Sequence, residues 1–176
     1  IYQHLGLVSA STREISSARE ERDIFKIFIT SSVIRYCVTL PISIGLIFFA
    51  DYIATSVYKN SLLIIPLRIY GITLVFQAVQ GILNSVVSGT KRFKVLFVYQ
   101  ISIAVVSVML YVPLVYIFKT NGFFYAFLAF NIISSIALSL LAFGPMKGKI
   151  EMPSKEDFKR LFKDIFSISI AIYIVK

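Results

Sequence analysis

Residues 93–118 read FKVLFVYQISIAVVSVMLYVPLVYIF, with a single charge, Lys94, near the start. A spanning helix needs about 20 mostly apolar residues rising 1.5 Å each, so this run is long enough to cross a bilayer. Three further runs meet the requirement, residues 27–50, 62–88 and 123–144, and a fifth at 165–175 is apolar but too short. Composition agrees. The chain is 57% hydrophobic and 15% charged, with a mean hydropathy of +0.82, far from the roughly 45–50% apolar and about 25% charged of soluble domains. In hydrocarbon, runs of this length satisfy their backbone hydrogen bonds as helices. The expected fold class is all-α, a polytopic transmembrane helix bundle. Residues 1–144 hold the membrane helices, 145–164 a linker with an amphipathic helix, and 165–176 the start of the next span.

The chain opens at Ile1 with neither Met nor a basic, apolar, small-residue leader, and it ends inside an apolar run. This reads as a segment of a longer protein, with residues 1–10 the tail of a preceding membrane helix.

Charge gives orientation, because Lys and Arg near helix ends stay on the cytoplasmic side. Arg13, Arg19, Arg22 and Lys26 fill one break. Lys91, Arg92 and Lys94 fill another, and Lys147, Lys149, Lys155, Lys159, Arg160 and Lys163 a third. The alternate breaks hold only Lys59 and Lys119. The first set is expected to be cytoplasmic in a multi-pass protein of the cell membrane. The net charge of +9 follows from that topology and from anionic membrane lipids, at about 1 kcal/mol per basic residue near the surface; nucleic acid is not needed as a partner.

Two breaks carry structure of their own. Residues 11–26 mix Arg13, Arg19 and Arg22 with Glu14, Glu20, Glu21 and Asp23, a pattern of opposite charges three and four apart that predicts a solvated helical extension. Ser154 followed by Asp157 has the form of a capping box. Phe158, Leu161, Phe162 and Ile165 then recur at helical spacing, with Lys155, Lys159 and Lys163 elsewhere on the circumference. That is a basic amphipathic helix suited to the inner leaflet.

Catalytic chemistry finds no foothold. Cys37 has no partner cysteine, His4 no second ligand at metal spacing, and no phosphate loop or nucleophile motif occurs; no enzyme activity and no cofactor are expected. Polar groups inside spans are costly and are functional candidates by default. Arg35 lies about 12 Å into the first span and shares a helix face with Ser31, Ser32 and Thr39. That face lines a polar cavity, pairs with a helix elsewhere, or lets Arg35 snorkel. Thr73, Gln77, Gln80, Asn84 and Ser88 form an amide and hydroxyl stripe on the next span. It is either cavity lining or packing glue, each such bond contributing about 1 kcal/mol or less. Arg68 falls about half a turn from the stripe, close enough to the outer end to snorkel. Asn131, Ser134 and Ser135 make a smaller patch that suits a helix contact. The one acidic residue near a span is Asp51, at an outer edge. With Arg35 the one deep charge and no carboxylate in the hydrocarbon layer, an anionic substrate is the electrostatic match.

The stretch Leu67-Arg68-Ile69-Tyr70-Gly71 to Gly81, followed by Asn84-Ser85-Val86-Val87-Ser88-Gly89-Thr90-Lys91-Arg92-Phe93-Lys94, resembles polysaccharide-export membrane proteins of the Wzx type, in the multidrug/oligosaccharidyl-lipid/polysaccharide flippase superfamily. Gly6-Leu7 before a charged loop, Asp51-Tyr52-Ile53-Ala54 at an outer turn and Asn121-Gly122 at an outer hairpin fit the same layout. The resemblance implies part of one six-helix lobe of a two-lobe transporter, running from the end of helix 2 to the start of helix 7. It implies alternating access and a polyprenyl-linked anionic glycolipid as substrate. Coupling to H+ or Na+ varies across that family. The cavity candidates are then Arg35, Gln77, Gln80, Asn84 and, less well by phase, Arg68. Lys91, Arg92 and Lys94 either meet lipid pyrophosphate or obey the topology rule.

Two alternatives differ in what they require. A multidrug cation antiporter of the same superfamily calls for an acidic cavity residue. A membrane glycan polymerase or glycosyltransferase calls for carboxylates, His or Arg on a large outer loop, whereas the outer breaks here are short.

Overall fold

The computed structural model describes residues 6–18, 20–145 and 151–174. The readings of His4, Arg19, Lys147 and Lys149, and of the first five and last two residues, lie outside it. All regular structure among the described residues is helical: α1 Leu7–Ser17, α2 Glu21–Phe48, the single turn α3 Ala50–Tyr52, α4 Ile64–Gly89, α5 Phe93–Phe143 and α6 Lys155–Ile174. Three stretches are long and apolar enough to cross a membrane, Glu21–Phe48, Ser61–Gly89 and Phe93–Phe143.

α5 holds two of the expected spans. A continuous helix of 51 residues would be about 77 Å long, more than twice the hydrocarbon thickness. The backbone leaves helical geometry at Lys119 (φ 53°, ψ −129°), and the chain beyond it folds back. Tyr99 Oη and Ser134 Oγ are 2.5 Å apart, and the Tyr111 and Phe123 rings 5.3 Å apart. Gly122 sits against the Leu114 carbonyl, where a β-carbon would overlap it. Residues 93–118 and 120–143 are therefore the two antiparallel arms of a hairpin, and the tight turn leaves room only for glycine at 122.

The chain divides into two compact units, residues 1–35, 79–97 and 137–176 in one and 36–78 and 98–136 in the other. In the first, Leu7, Ala10 and Ile15 of α1 are buried along with Ile82, Leu83, Val86 and Val87 of α4. Ser85 Oγ donates to the Val8 carbonyl (3.0 Å) and Gly89 lies against Ile15; both contacts advance together, so α1 and α4 run in the same direction. Phe143 closes edge-on over Phe25 and Phe28, with centroids 5.7 and 4.9 Å away. Among the described residues, all Lys and Arg except Lys59, Arg68 and Lys119 belong to this unit.

In the second unit, Ser43 Oγ donates to the Gly71 carbonyl (2.6 Å) and Tyr36 Oη to the Val75 carbonyl (3.3 Å). One number rises as the other falls, so α2 and α4 are antiparallel. A β-carbon at Gly71 would come within 2.8 Å of Ile47 Cγ1 and 3.0 Å of the Ser43 carbonyl oxygen; this close backbone approach is the small-residue packing by which membrane helices associate. Ser135 Oγ reaches the Phe76 carbonyl (3.5 Å), and Tyr70 stacks on Phe127 at 6.3 Å. The second arm of α5 is thus parallel to α4, as strict alternation of spans requires. Phe97, Val98, Val108, Met109 and Val112 on the first arm are more than half exposed, a face at home in lipid.

Several boundaries differ from the sequence reading. Residues 11–26 are not one solvated extension. α1 continues to Ser17 with Ser11 and Ile15 buried, the backbone turns extended at Ala18 (ψ 133°), and α2 begins at Glu21, six residues before the apolar run. The Leu7/Ser11/Ile15 row at spacing four packs inward, and the charges sit around it. The outer break after α2 is also more ordered than a loop. α3 continues into a π-helical turn, Ile53–Val57, then a 3-10 turn, Ser61–Leu63, whose first N–H groups are capped by Asn60 Oδ1 accepting from the Leu62 amide (3.0 Å). Helical turns keep backbone groups paired near the membrane edge. α6 runs unbroken through residues 164 and 165, joining the amphipathic segment to the apolar run in one helix.

Candidate functional site

Arg35 is 7% exposed although the charge-bearing end of its side chain is long and polar. Glycine makes the room. The position a β-carbon would take on Gly81 is 3.2 Å from Arg35 Nη1 and 3.4 Å from both Arg35 Cζ and a Val8 methyl, so the guanidinium lies against α4 where α4 has no side chain. Around it the first unit is unusually polar. Ser31 is fully buried, its Oγ 2.8 Å from Ser11 Oγ, which also donates to the Leu7 carbonyl at 2.8 Å. Ser32 is 9% exposed, and its Oγ is buried with no hydrogen-bond partner among the described residues. Thr39, the outermost member of the predicted face, is half-buried. No carboxylate occurs between Asp23 and Glu151 except Asp51. The Arg35 guanidinium therefore lies beside Gly81, with Val8 also close to that point, and Ser31 and Ser32 precede it by four and three residues on the same helix.

The amide stripe is divided. Thr73 is fully buried and returns its hydroxyl to the Ile69 carbonyl (2.7 Å), the self-satisfied state of a helical threonine. Gln77 is half-buried in the second unit; Gln80 and Asn84 are half-buried in the first, the unit of Arg35. None of these residues faces fully outward. What the sequence reading missed is the neighbouring row Gly81, Ser85 and Gly89, small residues four apart and about 100° around α4 from the stripe. That row receives α1 and the Arg35 side chain, and its small-x3-small-x3-small spacing was the available signal.

Arg68 is assigned differently. Its Nη2 is 2.6 Å from Asp51 Oδ2, both side chains are about half exposed, and both belong to the second unit. Its charge is thus engaged by Asp51 at the helix edge. The patch Asn131, Ser134 and Ser135 is buried: Ser134 pairs with Tyr99 and Ser135 reaches the Phe76 carbonyl across helices, while Asn131 donates to the Phe127 carbonyl of its own helix. Among the basic turn residues, Arg92 Nη1 donates to the Leu141 carbonyl (2.6 Å). It satisfies one of the four carbonyls that the end of α5 leaves unpaired, and its charge opposes the negative end of the helix dipole. Lys91 and Lys94 are exposed.

No curated protein and no solved structure matches the chain. The family model described as polysaccharide biosynthesis protein matches residues 2–176, nearly the whole sequence. With its membrane-length apolar helices, the chain is a multi-pass membrane member of the polysaccharide biosynthesis protein family.

Proposed function

We propose that the chain forms most of one lobe of a flippase, a transporter and not an enzyme, which carries a polyprenyl-phosphate or pyrophosphate oligosaccharide across the cytoplasmic membrane by alternating access. The observation that carries this reading is the Arg35 site: a buried guanidinium on an apolar helix, on the helix face that carries the buried Ser31 and Ser32 and lodged against Gly81, in a stretch of chain whose one carboxylate, Asp51, is engaged by Arg68. The planar guanidinium donates bidentately to phosphate oxygens, whereas a cation-binding cavity would need the acidic group this stretch lacks. Gln80 and Asn84, on α4 in the same unit, are the amides suited to sugar hydroxyls, and Gln77 extends that row. Membership of a polysaccharide family and the resemblance of residues 67–94 to Wzx-type exporters point the same way.

The test is complementation of surface polysaccharide in a flippase-null strain by the full-length protein, with membrane abundance measured alongside. Arg35→Ala is expected to abolish export at normal abundance, and Arg35→Lys to keep part of it, since a point charge remains but the fork to phosphate is lost. Arg68→Ala is expected to be mild. Normal export from Arg35→Ala at normal abundance would overturn the proposal.

A further inference from the structure

Lys26 and Asp157 are 131 positions apart in sequence, and Lys26 Nζ lies 3.0 Å from Asp157 Oδ2. Their side chains are 19% and 28% exposed, against 50% or more for both members of the Arg22–Glu20 and Arg68–Asp51 pairs. Exposed pairs contribute little because water screens them and the side chains lose freedom; this pair is partly withdrawn from water, and it joins the start of α2 to the first turn of α6. Both ends are held in place. Asp157 is three residues after the cap residue Ser154, whose Oγ accepts from the Asp157 amide (3.1 Å). Thr30 Oγ1 donates to the Lys26 carbonyl one turn on (2.9 Å). Beside the pair, α6 turns Leu161 and Ile165 inward, 8% and 0% exposed, and packs on α1.

The pair borders a cleft of about 160 Å³ that Glu14, Asp23 and Arg160 also line. Arg160 Nη2 stands 3.8 Å from Asp157 Oδ1. If the pair parts, Lys26 therefore has Glu14 and Asp23 as alternative partners within the same cleft, and Asp157 keeps Arg160. Two charge arrangements are available there, one with α6 bound to α2 and one without.

We propose that Lys26 and Asp157 form a latch: with the ion pair closed, α6 is docked on α1 and α2, and with it open, α6 releases as a unit. Both are positioning residues for α6, and the inference stands independently of what the protein transports.

The full-length protein in membranes provides the test, with Cys37→Ser as background and Leu161→Cys as a buried reporter of docking. The rate of its modification by a small membrane-permeant maleimide reads the fraction undocked. Asp157→Asn and Lys26→Gln are each expected to raise the rate at least tenfold, and the double variant to be no faster than the faster single one, because each change opens the same latch. Hydrogen exchange of the 158–165 amides, measured with Leu161 intact, is expected to give the same order, which removes any effect of the reporter. Unchanged rates in the single variants would overturn the latch. So would a double variant about a hundredfold faster than the parent, since multiplying effects would mean two unrelated local disturbances.

Discussion

Arg35 and Gly71 show how much single residues decide in this protein. At Arg35 the sequence marks the depth of the charge, and helical phase groups it with Ser31 and Ser32, but neither says what lies opposite. The facing residue is Gly81, whose missing side chain accommodates the guanidinium. At Gly71 the limiting quantity is distance: a methyl there would press on Ile47 and on the Ser43 backbone, and the Ser43 to Gly71 hydrogen bond at 2.6 Å would have to lengthen. Gly71→Ala is expected to destabilise the protein by about 1–3 kcal/mol, the range for overpacking a close contact. Its thermal midpoint in detergent should fall accordingly, while Gly45→Ala, where nothing lies within 4 Å, should leave it unchanged.

Among the elements, apolar runs were legible because bilayer thickness imposes a length that a sequence must meet. The four apolar runs fall within helices, the first largely in α2, the second in Ser61–Gly89, and the two at 93–118 and 123–144 in α5 on either side of its break at Lys119. The Ser154/Asp157 cap was legible for a similar reason: its spacing is dictated by one helical turn. The elbow between α1 and α2 was not legible. There the charges of Arg13, Glu14, Glu20 and Glu21 mask the inward row Leu7, Ser11 and Ile15, and local pattern cannot reveal that Ser11 meets Ser31. Pairings between distant segments were equally hidden: Arg68 with Asp51, Arg92 with the Leu141 carbonyl and Lys26 with Asp157. Periodicity states which residues share a face, and packing decides which faces meet. Direction of the elements is testable. In a Cys37→Ser background, Asn60→Cys or Asn121→Cys should react with a membrane-impermeant thiol reagent added outside, whereas Thr90→Cys or Ser154→Cys should not; reversed labelling would invert the orientation. The tie between α2 and α6 also has a pH signature. The hydrogen bond from Lys26, with that from Ser154 behind it, holds the Asp157 carboxyl below its ordinary value. Its contribution to docking is thus fully present above the usual aspartate value of about 3.9 and is lost as pH falls below that through the lowered one. Exchange protection of the 158–165 amides should stay flat from neutral pH to about 4, after correction for intrinsic rates, and decline only below it.

For the whole molecule, the distribution of charge is the governing fact. Among the described residues, all but three of the Lys and Arg gather in one unit, the acidic groups outside that unit reduce to Asp51, and the one buried cation of the spans is Arg35. Under the proposed function, this distribution suits an anionic substrate better than a cationic one. A lipid-linked sugar with a phosphate or pyrophosphate is the anion suited both to a membrane pathway and to a polysaccharide family. The most direct measurement is translocation in proteoliposomes holding the full-length protein, with a fluorescent polyprenyl-pyrophosphate oligosaccharide in one leaflet and quenching from outside reporting its passage. The account predicts that the native protein moves this lipid across and that Arg35→Ala, reconstituted in equal amount, moves it at least a hundredfold more slowly, about 2.7 kcal/mol by the conversion of 1.36 kcal/mol per tenfold. Equal rates for the two proteins, or equal transport of an uncharged analogue by the native one, would contradict it.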